Sequence, residues 1–263
     1  MKTTTNRFFI SLITIILFWG LSFSQENARP MYVTMTTMYW NNESDMTNEE
    51  WAAGEKEYME KVTNKNEHIM WAGYATHLMT PNSNEVIYAQ TYASWDAIEK
   101  AADRSAELEK EAWPDEATRR EFLSKMNSAY KIYHSDEIYA TVPGAKQLSG
   151  ELPDGAIVYM RKNKRAFPKD GSWEEYNNLN KKMLENVINK NEHLRAYYPS
   201  QHAYGSDRRD FIEIFYLNSL ADLDKAFEKN QELTNDAFTE EEREAMGKYF
   251  SSHGDFVYSI IKL

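Results

Sequence analysis

The chain has 263 residues, no cysteine, and 41 Asp and Glu against 30 Lys and Arg, a net charge of −11. Without cysteine there are no disulfides, no thiol nucleophile and no lipid-modified cysteine, so stability must come from a packed core. The acidic field repels phosphate, which excludes nucleic acid and anionic membrane surfaces as partners, and solubility accounts for the acidity itself.

Residues 1–24 read as a secretory signal: Lys2 and Arg7 flank the apolar run Phe8 to Phe23, and Ser22-Phe23-Ser24 offers small residues for cleavage before Gln25. The run is shorter than the roughly 20 apolar residues of a spanning helix. The mature chain is therefore expected to begin near Gln25 and to be periplasmic or extracellular, without membrane association.

The remainder repeats itself. Asn64-Lys65-Asn66-Glu67-His68 recurs as Asn189-Lys190-Asn191-Glu192-His193, and at the same offset Val33 and Met35 fall on Val158 and Met160, Thr47 on Ser172, Val62 on Val187, His77 on His202, and Lys100-Ala101 on Lys225-Ala226. After a shift in offset, His134-Ser135-Asp136 falls on His253-Gly254-Asp255, so the six histidines form three matched pairs.

In chain order, Met31 to Trp40 is a β-prone stretch, followed by a capping box at Thr47 and Glu50 and an apolar helical stripe through Trp51, Tyr58, Met59 and Val62. A hairpin follows, Ile69 to Met79 and Val86 to Tyr92 around a polar turn. A helix from Ser94 carries Trp95, Ile98 and Leu108, a shorter helix lies within 115–133, and a strand closes the half at Glu137 to Val142. The Pro- and Gly-bearing stretch Pro143 to Gly155 reads as an exposed connection. The second half repeats the order: a strand at Ala156 to Lys162, a box at Ser172 and Glu175, a hairpin at Leu194 to Tyr204 and Phe211 to Leu217, a helix from Ser219, a box at Thr239 and Glu242, and a strand at Phe256 to Ile261. Pro199 inside its run marks an edge strand or a bulge.

Strand, helix, strand, strand, helix, strand, twice over, is a tandem duplication of ferredoxin-like βαββαβ units of α+β class, with repeats at 25–142 and 156–263 and a linker at 143–155. Each sheet has helices on one face and needs cover on the other, which the second copy can supply by packing sheet to sheet as an intramolecular dimeric α/β barrel. On this order and duplication the chain resembles the dimeric α+β barrel superfamily in its fused two-repeat form, as in NIPSNAP-like and chlorite dismutase-like proteins. It is also similar to the antibiotic-biosynthesis monooxygenases, which pair two single-repeat chains. The resemblance implies a ligand in the space between the sheets.

Assigning the more aliphatic strand residues to the helices leaves Tyr32, Tyr88, Tyr92, Tyr139, Tyr159 and Tyr258 for that space, with Arg161 and Glu213 as a charged pair. This predicts an aromatic chamber whose guanidinium anchors an anionic group, unless Glu213 already satisfies it. The sequence assigns no catalytic residue and predicts no cofactor or metal. The matched histidines read first as structural, at helix ends and strand entrances. Haem is the alternative that the resemblance implies, with His77, His202, His193 and His253 as candidate ligands. No Cys-x-x-Cys-His, Gly-x-Ser-x-Gly, Walker A or Gly-x-Gly-x-x-Gly sequence is present. Three functions follow: an exported small-molecule-binding barrel, a cofactor-free monooxygenase-like or haem-binding enzyme, or an interaction protein whose barrel is filled by its own side chains. A homo-oligomer is left open.

Overall fold

A computed structural model describes residues 30–263, and the expected export segment lies outside the described residues. The first half runs β1 (Tyr32–Tyr39), α1 (Asn48–Lys61), β2 (Trp71–Met79), β3 (Glu85–Tyr92), α2 (Trp95–Ala112), α3 (Glu116–Ser128) and β4 (Ser135–Thr141). The second runs β5 (Ile157–Arg165), α4 (Trp173–Met183), β6 (Ala196–Tyr204), β7 (Asp210–Leu217), α5 (Leu220–Ala237), α6 (Glu240–Gly247) and β8 (Phe250–Ile261). Among the described residues no helix is long and apolar enough to cross a membrane.

Helix starts follow local chemistry. Thr47 and Thr239 form complete capping boxes with Glu50 and Glu242, and Ser94 and Ser219 accept backbone N–H groups at the starts of α2 and α5. The expected box at Ser172 is only half made. Its hydroxyl accepts from the Glu175 backbone, but the Glu175 carboxylate is taken by the Tyr249 hydroxyl and Lys248.

The strands lie in the order β4-β1-β3-β2 in one half and β8-β5-β7-β6 in the other, all antiparallel. Pairing of β2 with β8 and of β4 with β6 joins the halves edge to edge into a closed eight-stranded barrel. The register shifts once at each seam, near His77 in β2 and at Tyr139 in β4. Closure corrects one reading of Pro199: β6 has a partner on both sides and no free edge. Beyond Ser200 the Pro199 carbonyl still accepts from the Val142 backbone, but the proline, with no N–H, returns no bond across that seam.

The twice-spelled phrase proves to be an anchor. Asn66 donates to the Ala101 carbonyl at 2.8 Å and Ser105 Oγ at 2.9 Å, and accepts from the His68 backbone at 3.1 Å. Asn191 repeats this on the Ala226 carbonyl at 2.9 Å, Asn230 Oδ1 at 2.8 Å and the His193 backbone at 2.9 Å. Each buried amide thus ties the turn after one helix to the next helix, where an apolar side chain would leave polar groups unpaired.

The barrel interior reverses the expected assignment of faces in β1, β3, β5 and β7. Met35, Ile87, Val158, Met160 and Ile212 pack there around Tyr139 and Tyr258, each buried. The register supplies the reason. Directly opposed residues on antiparallel strands share a face, and Val33 lies opposite Tyr139 while Val158 lies opposite Tyr258. An eight-stranded barrel is just wide enough for side chains to fill it, and it takes the aliphatic set, each burial contributing about 1.5–3 kcal/mol. The inter-sheet space is therefore occupied and is not the expected chamber.

Candidate functional site

The eight residues expected to form one wall are divided between the two faces of the sheet. Tyr139 and Tyr258 lie inside the barrel, as expected, with hydroxyls held by Glu137 and Glu85. The other six lie on the helix side. Tyr32 packs on Trp95, Tyr88 stacks on Tyr74 at 4.4 Å, and Tyr92 packs with Ala97 and Ala101. Tyr159 stacks on Phe215 at 5.4 Å and faces Phe227 at 5.3 Å. Arg161 and Glu213 are cross-strand neighbours but not an ion pair. Glu213 accepts from Tyr197 Oη and Asn163 Nδ2, both at 2.8 Å. Arg161 turns to its other neighbour, placing Nε 3.0 Å from Tyr159 Oη and 3.3 Å from Asp255 Oδ1.

Arg161 and Tyr159 line a cleft of about 290 Å³ between the outer face of β5 and β7 and helix α5, completed by Leu194, Phe215, Leu223, Ala226, Phe227 and Asn230. That is near the lower bound of small-molecule sites, roughly 300 Å³, and the mix of apolar walls with few polar groups is typical of them. The polar rim is tightly coupled. Tyr159 Oη donates to Asp255 Oδ1 at 2.5 Å. Burial and that carboxylate push the phenol well above its usual range, so it stays protonated. Burial would raise the Asp255 carboxyl, but the Tyr159 hydrogen bond and Arg161 hold it below its ordinary value. The guanidinium therefore keeps its charge while Tyr159 and Asp255 fix its Nε side.

The two copies diverge at this place. Counting back along the repeat, Tyr159, Arg161, Phe215, Phe227 and Asn230 correspond to Thr34, Thr36, Gln90, Ala102 and Ser105. Thr36 still reaches the matching carboxylate, donating to Asp136 Oδ1 at 2.7 Å, so the scaffold is common and the aromatic and cationic groups belong to the second copy. Comparing the copies for differences would have found these positions in the sequence.

The candidate histidines lie at several places in the fold. His77 Nδ1 sits 2.9 Å from Thr80 Oγ1 in the β2–β3 turn, and His77 and His202 lie opposite Tyr258 and Tyr139 at the two seams. His134 and His253 lie 3.1 and 3.3 Å from Asp136 and Asp255. His193 precedes the cleft residue Leu194, and its backbone is held by Asn191. The cleft lining includes no histidine, cysteine or methionine, and its one phenol already donates to Asp255, so these residues do not fit a haem iron. Among the described residues no group of three or more His, Asp or Glu is placed to hold a metal ion.

No protein-family model matches the chain, and no curated protein matches it. Solved structures do. A candidate monooxygenase from Fusobacterium nucleatum superposes with a TM-score of 0.58 at 8% identity, covering 89% of this chain and 94% of that one. A candidate monooxygenase from Lactobacillus acidophilus gives 0.54 at 11%, covering 88% and 93%. A doubly substituted chlorite dismutase from Candidatus Nitrospira defluvii gives 0.55 at 12%, covering 88% and 92%. At these identities the likeness concerns architecture, and the architecture it shows is the dimeric α+β barrel.

Proposed function

We propose that the chain is an exported small-molecule-binding protein whose ligand lies in the cleft between the β5–β7 face and α5. Its apolar body rests on Tyr159, Phe215 and Phe227, and an acidic group meets Arg161. The observation that carries this reading is the divergence of the copies: the second has three aromatic rings and a guanidinium at the positions of Thr34, Gln90, Ala102 and Thr36 in the first, where the Tyr92 hydroxyl donates to Gln90 instead. Arg161 is suited to the role, because its charge persists on burial and its planar fork matches a carboxylate.

Arg161→Gln tests it. The Arg161–Asp255 pair is partly exposed, 37% and 48%, so losing it costs at most about 1 kcal/mol of stability. Native mass spectrometry of protein from its own source should find a retained acidic molecule in the unsubstituted chain and loss of it in the variant, with Tm nearly unchanged. Retention by both would overturn the proposal. We further propose that no haem is resident, so added haemin should produce no saturable Soret shift.

A second reading, an interaction protein, is favoured by the filled barrel. It requires no ligand, so the same mass measurement separates it from the first.

A further inference from the structure

We propose a second, separate binding site for a small carboxylate, at Arg165. This residue ends β5 on the outer face, and its guanidinium carbon lies 4.7 Å from the Phe211 ring centroid, 5.5 Å from Tyr176 and 5.6 Å from Trp173. Three rings hold the cation, yet its Nε is sealed from solvent with no hydrogen-bond partner. Among the described residues no carboxylate lies within ion-pair distance of it, whereas Arg104, Arg161 and Arg209 each meet an acid. The sealed Nε lies beyond a ligand's reach, but the guanidinium as a whole has no acid to balance its charge.

The first copy shows what folding alone asks of this position. Its counterpart is Trp40, an indole that stacks on Tyr130 and meets Trp51 edge-on at 4.9 Å, and whose Nε1 reaches Thr76. Tyr249 and Tyr176 take the places of Tyr130 and Trp51 in the second copy, so a cation has replaced an indole within a comparable aromatic nest.

Beside Arg165 opens a cavity of about 140 Å³ walled by Phe167, Pro168, Trp173, Tyr176 and Tyr249, with no acidic residue in its lining. Phe167 and Trp173 stand 63% and 62% exposed at its mouth. The volume is well under the roughly 300 Å³ of drug-sized sites. The ligand class that fits is a small acid with one planar apolar group, its carboxylate end-on to the Nη groups of Arg165 and its body against Phe167 and Trp173. This site is independent of the cleft at Arg161.

Calorimetric titration of the full chain tests it, with benzoate as probe, benzamide as its uncharged counterpart and inorganic phosphate as an anion without an apolar body. Benzoate is expected to bind with a Kd of about 1 mM or tighter. Benzamide and phosphate should each bind about tenfold more weakly or worse, and Arg165→Gln should lose about tenfold to a hundredfold. All titrations are made in the Arg161→Gln background, which removes the anchor proposed for the other cleft. Arg165→Gln also gives up the contacts of the cation with Trp173, Tyr176 and Phe211, so its Tm is measured beside each titration. Should that variant fail to fold, Trp173→Ala at the exposed mouth reads the same site through loss of its apolar wall. The proposal is overturned by absence of saturable benzoate binding in that background, by equal affinity for benzamide or phosphate, or by benzoate binding undiminished in the folded site variants.

Discussion

Replacing Asn191 by alanine removes three hydrogen bonds from a side chain with no solvent exposure. A net contribution of about 1 kcal/mol for each bond, with the His193 N–H left without its acceptor, gives a loss of about 3 kcal/mol. For a chain of this size that lowers Tm by roughly 6–12 °C. Asn66→Ala removes the same three bonds in the first copy and should cost the same, and the two losses should add, because the sites share no partner. Urea denaturation followed by circular dichroism measures all three variants. Losses under about 1 kcal/mol, or a large loss in one copy with none in the other, would show that the phrase recurs for a reason other than anchoring. Since Asn191 also positions Asn230 in the cleft, its variant alone should weaken ligand retention.

Glu55 is buried on α1 and accepts from Tyr74 and Tyr130, at 2.8 and 3.3 Å. Burial raises its pKa against the pull of those hydroxyls. The native state therefore keeps a proton that the unfolded chain releases, and stability is lost as pH climbs from the ordinary carboxylate range through the raised value. Glu55→Gln should gain on the parent over that window and then level off, and a gap between their urea midpoints that does not change with pH would refute this. Asp210, 1% exposed, meets both Lys162 and Lys164 at one mouth of the barrel. Asp210→Asn should destabilise by about 2–3 kcal/mol, discounted from a fully buried pair because the lysines are a quarter exposed, and an unchanged urea midpoint would refute it.

Much of the fold was legible because its signals are local. Thr47, Ser94, Ser172, Ser219 and Thr239 each cap a helix by reaching only three residues along the chain, and duplication gave every element a second witness. Which face of the sheet points inward was not local. Alternation groups Val33 with Met35, but only the pairing of Val33 with Tyr139 puts that group inside the barrel. Arg161 was found for its chemistry and given the wrong neighbour, since strand order offers it both Glu213 and Asp255 and the Tyr197 and Asn163 side chains claim the first. Arg165 is not legible from identity between the copies, since its counterpart is a tryptophan.

The closing of both seams within one chain bears on the order of the halves. The Met31 carbonyl accepts from the Thr141 backbone, where the connection 143–155 begins, and Lys262 pairs with Asp154, where it ends. The outer ends of the barrel's chain thus lie beside the two ends of its own linker. A circular permutant running from the second half into the first through a connection of similar length would close the same seams with every strand pairing kept. The linker carries no topological information. It raises the effective concentration at which one half meets the other, and it is itself docked, Lys146 bridging to Tyr197 and Arg195 holding the Ser149 and Glu151 carbonyls, so two free half-chains would have to supply that concentration from solution.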